Sequence, residues 1–323
     1  MWYQVGKSVF ASLLIALLSV NISAADKKIA YLVSDLRIPF WDIMWRGVQF
    51  EAQQLGYDIQ VYSAQNSAKT ELQNIVAASR SGVDGIVLSP TNSSAAVTVL
   101  DFAAQASIPV VIADIGTQGG EYLSYIESNN FDGAYQLGQV LAKAMTATPS
   151  HQGSVGIIAI PQQRKNGQLR TDGFLKALAE ADIKASDIRQ QVDFSYQETY
   201  RFTEQLIVEN EDMKALWLQG SDRYQAALDA IRDMGKAGQI LLICFDAEPE
   251  FSDMIRQQTL VAAGMQQPFL MGSRAVDTLH QYWQGEPVDK TQQLDVLAVS
   301  KQNLEQLLPT IQRNVLGILS SEE

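Results

Sequence analysis

The stretch Ile29–Gly56, IAYLVSDLRIPFWDIMWRGVQFEAQQLG, predicts a strand followed directly by a helix. Its opening run, Ile29–Ser34, is apolar and short enough to be a buried strand. From Phe40 to Leu55 the apolar residues recur at helical spacing. Gly56 ends the helix because glycine readily adopts the left-handed conformation of a C-terminal cap. A strand and a helix in this order form the unit from which doubly wound α/β sheets are built.

The same alternation of short apolar runs and amphipathic segments continues to Asp246 and falls into two stretches of similar length. The first stretch ends near Ser128, and the pattern restarts with a helix predicted over Asp132–Met145 and a further one over Asp172–Ala181. This spacing is typical of parallel βαβ units. We therefore expect an α/β fold with two Rossmann-like, doubly wound parallel-sheet lobes. No Pro-, Gly- or Ser-rich linker separates the stretches, which indicates several short connections between the lobes.

The chain beyond Asp246 continues the pattern and ends in an apolar tail. Four further elements are predicted: helices over Pro249–Gln257 and Pro268–Gln284, and strands over Leu260–Gln266 and Leu294–Val299. The tail, Asn303–Leu319, carries an apolar stripe interrupted by Pro309. Two interpretations of the tail remain open, a helix docked on the surface of a lobe and an element that binds a partner.

Composition excludes several classes of protein. The 323 residues are 46% hydrophobic and 19% charged, which allows two domains of ordinary size and argues against disorder. The formal net charge of −12 disfavours DNA or RNA as a partner. One cysteine and two histidines exclude an intrachain disulfide and His- or Cys-rich metal sites. We expect no metal and no cofactor, and a buried, inert thiol at Cys244.

The N-terminus, residues 1–25, has the features of a signal peptide. Lys7 provides a positive charge, Val9–Val20 is apolar, and Ser23-Ala24-Ala25 is a small-residue cleavage site. The alternative, a membrane anchor, is disfavoured because this apolar run is too short to span a bilayer. The mature chain is therefore expected to begin near Asp26 and to be exported.

Residues that follow the predicted strands form the candidate site, because ligands of open parallel sheets bind beyond the carboxyl ends of the strands. They include the acceptors Asp114 and Asp246, the donors Arg37, Arg164 and Arg170, and neighbouring amides and aromatic rings. Hydroxyl groups need both donors and acceptors, and aromatic faces cover the C–H side of a sugar ring. The set therefore favours a neutral polyhydroxyl ligand.

Simpler roles are also open for several of these residues. Asp222 could cap the following helix, and Arg170 could pair with Asp172 or another nearby acid. One of Trp41 and Trp45, a helical turn apart, is expected in the core. Arg164 and Lys165 are predicted to be solvated loop charges. No Gly-x-Ser-x-Gly, Walker, Gly-x-Gly-x-x-Gly or His-Glu-x-x-His motif favours an enzyme; an exported enzyme would have only Asp114 and Asp246 as a proton-transfer pair.

Six segments in order resemble the periplasmic sugar-binding proteins of the ribose/galactose type, the type I substrate-binding proteins of ABC importers. They are Ile29–Gly56, Ser81–Asn92 (SGVDGIVLSPTN), Ile108–Asp114 (IPVVIAD), Arg170–Phe174 (RTDGF), Ile243–Pro249 (ICFDAEP) and Gln266–Pro268 (QQP). The resemblance covers nearly all of Lys28–Val299. It implies two lobes that are joined by three hinge crossings and close on a ligand.

The resemblance also implies lobe boundaries and a set of binding residues. The N-terminal lobe is expected over residues 26–128 and 267–293, and the C-terminal lobe over residues 129–266 and 294–323, with a C-terminal tail helix. The expected ligand-binding residues, which include stacking aromatic rings and polar contacts, are Phe40, Trp41, Ser89, Asp114, Arg170, Asp222, Asp246 and Gln266.

Departures from the ribose-binding pattern bear on the ligand. Ile38 and Ile115 stand where ribose binders carry Asn and Arg, and Gly220-Ser221-Asp222 stands where they carry Asn-Asp. The replacement of polar by apolar contacts favours a less polar ligand than ribose, such as a deoxy sugar, a polyol or another small metabolite.

We expect a monomeric periplasmic solute-binding protein, not an enzyme, that delivers a sugar-like molecule to the permease of an ABC importer. The alternative is a protein that binds a signalling metabolite and docks on the periplasmic domain of a membrane sensor kinase. The long tail, residues 300–323, is consistent with the alternative.

Overall fold

Two α/β lobes make up the protein, and each is built around a six-stranded sheet. The computed structural model describes residues 27–147 and 153–319, so the predicted signal peptide lies outside the described residues. The first part of the N-terminal lobe comprises β1 (Lys28–Val33), α1 (Pro39–Gln54), β2 (Asp58–Ser63), α2 (Ala68–Arg80), β3 (Gly85–Ser89), α3 (Ala95–Gln105), β4 (Val110–Ala113) and β5 (Ser124–Ser128).

The C-terminal lobe repeats this succession of strands and helices. It comprises α4 (Asn130–Thr146), β6 (Ser154–Ala159), α5 (Lys165–Glu180), β7 (Ala185–Gln190), α6 (Tyr196–Glu209), β8 (Met213–Leu218), α7 (Tyr224–Asp233), β9 (Leu241–Phe245), α8 (Phe251–Gln257) and β10 (Ala262–Met265). The remaining elements are α9 (Pro268–Trp283), β11 (Thr291–Leu294), β12 (Leu297–Ser300), α10 (Leu304–Thr310) and a π-helical turn over Ile311–Val315.

The two sheets have matching strand orders, which confirms the predicted pair of doubly wound lobes. The order is β2-β1-β3-β4-β5-β11 in the N-terminal sheet and β7-β6-β8-β9-β10-β12 in the C-terminal sheet. Strand pairs are parallel except β10 with β12, which is antiparallel. Apolar side chains cover both faces of each sheet, as parallel sheets require. The carboxyl ends of both sets of strands therefore form the two walls of one cleft.

The chain passes between the lobes at three places within the described residues: after β5, after β10 and between β11 and β12. The last crossing corrects the predicted strand over Leu294–Val299. Leu294 ends β11, which pairs with β5, whereas Leu297 begins β12, which pairs with β10. The apolar run was continuous because both halves enter sheets, but the sheets belong to different lobes.

Helix α5 begins at Lys165, whereas the sequence predicted a helix only from Asp172. The buried residues of its first turns are Asn166, Gly167 and Arg170 rather than apolar side chains. The spacing of apolar residues could not predict these turns, because their buried side chains face the cleft instead of the core. Arg170 is therefore held on a helix and not on a loop.

The tail packs against the protein itself. Its apolar stripe is docked on the C-terminal lobe, which was the first of the two interpretations. The apolar core of that lobe includes Leu304, Ile311 and Val315. The guanidinium of Arg46, in α1 of the N-terminal lobe, donates to the carbonyl oxygens of Leu316 and Gly317. The tail thus contacts both lobes. None of the helices in the described ranges is both long and apolar enough to cross a membrane.

Candidate ligand-binding site

A cavity of about 60 Å³ lies in the cleft, with residues of both lobes in its wall. It is lined by Ile38, Phe40, Trp41, Asp114, Ile160, Arg164, Asn166, Arg170, Phe194, Gly220, Asp222, Asp246 and Gln266. Seven of the eight residues expected from the sequence are in this set. The space is enough for a few water molecules, so a sugar ring needs the walls to move apart to enter.

Ser89 is the predicted residue that does not line the cavity. Its side chain is fully buried beneath the N-terminal wall, where its hydroxyl lies 3.2 Å from the Tyr31 hydroxyl and 3.4 Å from the sulfur of Met44. Ser89 is the last residue of β3, and side chains alternate between the faces of a strand. It therefore faces the core and not the cleft.

Asp114 and Asp246 occupy corresponding positions, directly after β4 and β9. Both have positive φ angles, 72° and 68°, which are uncommon for residues other than glycine and which cluster at functional sites. Their backbone N–H groups donate to the neighbouring strands, at Ile126 and Gly264 respectively. The two lobes thus aim one carboxylate each at the same cavity.

The Asp114 carboxylate is buried, and the protein provides it with few hydrogen-bond donors. Its one recorded side-chain bond within the described residues is a 3.5 Å contact from Nδ2 of Asn166, which belongs to the other lobe. Burial raises the pKa of Asp114 to about 6, while the charge of Arg170 acts in the opposite direction. The Asp114 carboxyl therefore retains the capacity to accept a hydrogen bond from a ligand hydroxyl.

Arg170 is held by three fixed contacts. Its Nε donates to Asn130 Oδ1 at 2.8 Å and its Nη1 to the Gln219 carbonyl oxygen at 2.7 Å. The guanidinium carbon lies 4.0 Å from the centre of the Phe245 ring. Asn130 begins α4 just after a lobe crossing, and nothing in the sequence pattern marked it as a positioning residue. Arg170 is consequently held in position by contacts within its own lobe.

Asp246 joins Arg170 and Gln266 into one network. Arg170 Nη1 lies 3.5 Å from Asp246 Oδ2, and Gln266 Nε2 donates to Asp246 Oδ1. Burial raises the pKa of Asp246, and Arg170 opposes that effect. Arg170 thus pairs with an acid, as the predicted alternative allowed, but the acid is Asp246 and not Asp172.

Asp222 does not cap the following helix. Helix α7 begins at Tyr224, and the capping position is Arg223, which makes no side-chain cap bond. Arg223 Nη1 is 3.3 Å from Asp222 Oδ2, an ion-pair distance outside hydrogen-bond geometry. Burial raises the pKa of Asp222. The helix-cap interpretation of Asp222 is therefore wrong, and its carboxylate faces the cavity.

Three of the cavity residues carry buried polar atoms without a hydrogen-bond partner: Trp41 Nε1, Asp222 Oδ2 and Gln266 Oε1. The Trp41 indole approaches Asp114 closely enough to lower that pKa slightly, but not at hydrogen-bonding geometry. Buried polar groups are nearly always bonded, and each one that is not costs free energy. One donor and two acceptors at one cavity match a ligand that offers both kinds of group.

Apolar side chains form the rest of the lining. Phe40 and Trp41 meet edge to face, with ring centres 6.2 Å apart, at the start of α1. Trp45, one turn later, instead stacks on Tyr31. Phe194 and Ile160 belong to the C-terminal lobe, and neither was predicted from the sequence. Such rings can cover the C–H face of a sugar.

Ile38 lines the cavity and Ile115 does not. Ile115 is fully buried in the core of the N-terminal lobe. Of the two isoleucines that were expected to replace polar contacts, only Ile38 can therefore contact a ligand. Arg37, another candidate donor, pairs with Asp35 and is mostly exposed.

Arg164 was predicted to be a solvated loop charge, and this prediction is wrong. The residue is 8% exposed and lies in the cavity wall. Lys165, given the same prediction, is half-exposed and pairs with Glu127 across the cleft at 3.5 Å. Sequence alone could not separate the two because it does not reveal which of these charges becomes buried between the lobes.

Contacts between the lobes show a closed arrangement. Arg164 Nη2 lies 3.3 Å from the Thr91 carbonyl oxygen. Across the same cleft, Lys165 contacts Glu127 and Asn166 contacts Asp114.

The thiol of Cys244 is buried, and burial raises its pKa well above the usual value. Among the described residues no three His, Cys, Asp or Glu side chains are grouped so that they could hold a metal ion.

Two Rossmann-like lobes around a polar and aromatic cavity define a two-lobed solute-binding protein. The family model described as the periplasmic binding protein domain matches residues 29–287, and the chain belongs to that family. The ribose import binding protein of Escherichia coli K12 is 30% identical over 296 residues, which cover 91% of this chain and 97% of that protein.

Solved structures agree on the fold. An ABC transporter periplasmic solute-binding protein from Actinobacillus succinogenes, with bound D-allose, superposes with a TM-score of 0.79 at 22% identity, over 87% of this chain and 99% of that one. The Caulobacter myo-inositol-binding protein, with bound myo-inositol, has a TM-score of 0.79 at 22% identity, over 88% of this chain and 96% of that one.

Proposed function

We propose that this protein captures a sugar-like small molecule in the cavity between its lobes and delivers it to the permease of an ABC importer. It acts in the periplasm after removal of residues 1–25 and works as a monomer. It binds its ligand without converting it. The single observation that carries the proposal is the cavity itself, which is lined by aromatic rings and by unpartnered donors and acceptors from both lobes.

The site has a defined division of roles. Asp114, Asp222 and Asp246 accept bonds from ligand hydroxyls, Arg170 and Gln266 provide polar contacts, and the Phe40 and Trp41 rings cover the C–H face. Ser89 acts only by supporting the wall from behind. The relatives of this chain include ribose and D-apiose import binding proteins, which supports a sugar as the ligand class.

The three lobe crossings are proposed to act as a hinge, with the lobe boundaries near residues 128, 266 and 294. Hinge residues absorb the rotation while each lobe stays rigid. A ligand that bonds to both lobes favours the closed form, because it gains contacts there that the open form lacks. Closure then presents a changed surface to the permease.

A thermal-shift screen of the chain from Asp26 onward tests the function. The panel contains pentoses, hexoses, deoxy sugars and polyols at about 1 mM, with autoinducer-2 and trimethylamine N-oxide as the signalling probes. A ligand at about a thousandfold its Kd adds about 4 kcal/mol of stability. That corresponds to several degrees, at about 2–4 °C per kcal/mol.

The expected result is a shift with one sugar or polyol, or with a few closely related ones. A shift with a signalling probe alone would contradict sugar import and favour the sensor-kinase alternative. Recovery of the bound sugar unchanged after prolonged incubation is also expected, and its turnover would contradict a binding role.

A further inference from the structure

Arg164 lies immediately before α5 of the C-terminal lobe and reaches across the cleft. Its guanidinium carbon is 5.9 Å from the centre of the Trp41 ring and 5.7 Å from that of the Phe194 ring. Trp41 belongs to the N-terminal lobe and Phe194 to the C-terminal lobe. The guanidinium is thus enclosed by both walls of the cavity.

The protein compensates the charge of Arg164 only in part. Nη2 alone bonds to the protein, at 3.3 Å to the Thr91 carbonyl oxygen and 3.4 Å to Asn66 Oδ1, both long contacts to neutral oxygens. No ion pair to Arg164 exists within the described ranges, whereas Arg170 has a carboxylate partner in Asp246. Removal from water lowers the pKa of Arg164, since a buried cation without a close partner is costly.

Two donors of Arg164, Nε and Nη1, have no hydrogen-bond partner among the described residues, and the side chain lines the cavity. The planar guanidinium points these two N–H groups in different directions, because the N–H parallel to that of Nε is on Nη2, so they suit two separate oxygens of one ligand. Asp114 and Asp246 already supply negative charge to the cavity, which makes neutral hydroxyl oxygens better partners than an added anion.

We propose that Arg164 is the residue that couples occupancy of the cavity to closure of the lobes. Nη2 holds the N-terminal lobe at Thr91 while Nε and Nη1 donate to two separate oxygens of the bound sugar or polyol. The two sets of bonds exist together only in the closed form. The ligand half of this proposal rests on the proposed function, and the contact between lobes does not.

The test compares the wild type with Arg164→Ala, Arg164→Lys and the control Lys165→Ala. The control removes the neighbouring cation, which also crosses the cleft but is half-exposed. Calorimetric titration uses D-ribose, D-allose and myo-inositol as probes. Energy transfer between dyes at Lys69→Cys and Gln197→Cys, one exposed site on each lobe, reports closure; the native thiol of Cys244 is buried and does not compete for label.

Arg164→Ala is expected to weaken binding of the tightest probe about tenfold or more and to remove the probe-induced approach of the two dyes. Arg164→Lys is expected to bind with intermediate affinity, because an ammonium keeps the charge and loses the planar pair of donors. Lys165→Ala is expected to stay within about twofold of the wild type, since exposed ion pairs contribute little.

The outcomes separate the two proposals. If the wild type binds a probe and Arg164→Ala binds it equally and closes normally, the role of Arg164 is overturned and the proposed function stands. Wild-type affinity in Arg164→Lys would overturn donation to the ligand from both Nε and Nη1. If the wild type binds no probe, the choice of sugar is wrong, and the dye separation in the protein without ligand still tests the link between lobes. A longer separation in Arg164→Ala than in the wild type supports this link, and an equal separation overturns it.

Discussion

At the scale of single residues, Asp246 links two other members of the site. It contacts both Arg170 and Gln266, and its carboxylate is one of the three acceptors that we assign to the ligand. Asp246→Ala is expected to weaken sugar binding by about 1.5 kcal/mol or more, over tenfold, because buried donors lose their acceptor. Calorimetric titration with the sugar that gives the largest thermal shift measures this change.

The matched control for that substitution is Asp253→Ala. Asp253 also pairs with an arginine, Arg256, but its side chain is exposed on α8. We expect wild-type affinity in the control. Equal affinities in Asp246→Ala and the wild type, with both folded, would mean that the site is misplaced.

Glu71 gives the free protein a definite pH dependence. This carboxyl is buried and accepts from the backbone N–H and the hydroxyl of Thr91, and burial raises its pKa to about 7. A carboxyl whose pKa is higher in the folded than in the unfolded state stabilises the fold while protonated, and this stabilisation is lost as pH rises through the folded value. The pKa of Asp114 is raised to about 6 and that of Glu248 to about 7, so both carboxyls change the free energy of unfolding in the same direction as Glu71.

The free energy of unfolding is therefore expected to fall from pH 5 to pH 8, and to fall less steeply in Glu71→Gln. Urea denaturation across this range measures both slopes, with the exposed Glu286→Gln as control. Carboxyls with lowered pKa, such as Asp35, change charge below this range and leave the slope intact. An identical slope in Glu71→Gln and the wild type would refute the assignment.

Most of the site residues could be predicted because strand ends in parallel sheets meet at one edge. The error at Ser89 arose because the final residue of a strand can still face the core. The error at Arg164 arose because its environment is supplied by the opposite lobe, which local sequence does not describe. Asn130 and Phe194 were missed because the residues that they contact, Arg170 and Arg164, lie far from them in sequence.

At the scale of elements, α1 and α9 approach so closely that glycines are needed at their contact. A Cβ on Gly47 would stand 2.1 Å from the Phe269 carbonyl oxygen, and one on Gly272 would stand 2.1 Å from that of Met44. Gly272→Ala is expected to lower the free energy of unfolding by about 1–3 kcal/mol, because the helices must separate.

The control for the helix contact is Gly119→Ala, whose Cβ would meet no atom within 4 Å. Urea denaturation of both variants is the measurement. A stability loss in Gly119→Ala as large as that in Gly272→Ala would contradict the close-packing explanation.

The tail element is tested by Ile311→Ala. Ile311 is 1% exposed and packs in the core of the C-terminal lobe. Its truncation is expected to cost about 2–4 kcal/mol of stability, whereas Ile318→Ala, at a site 55% exposed, should change little. Wild-type stability in Ile311→Ala, measured by urea denaturation, would show that the tail does not contribute to the core.

Helices and strands with a clear apolar period were predicted within a few residues, as α1 and β1 illustrate. The start of α5 was missed because polar side chains line the cleft there. The division of residues 291–300 into β11 and β12 was missed because the strands are short and their partners lie far away in sequence. Local patterns predict elements best where those elements face the core.

At the scale of the whole molecule, the proposed function requires two lobes that move as units around the cleft. Each lobe has its own sheet and core, and three crossings join them. The tail adds a further contact between lobes, since Asn314 donates to Gln267 beside the second crossing. The repeat of strand and helix predicted the two lobes correctly, but no local pattern could show that the cleft is closed.

Small-angle X-ray scattering with and without the sugar of largest thermal shift tests the central claim most directly, because it measures closure around a bound ligand. The wild type is expected to show a smaller radius of gyration with the sugar than without it, and Asp246→Ala no change at the same sugar concentration. A saturated wild type with an unchanged radius and an unchanged scattering profile would contradict capture of the ligand by closure of the two lobes.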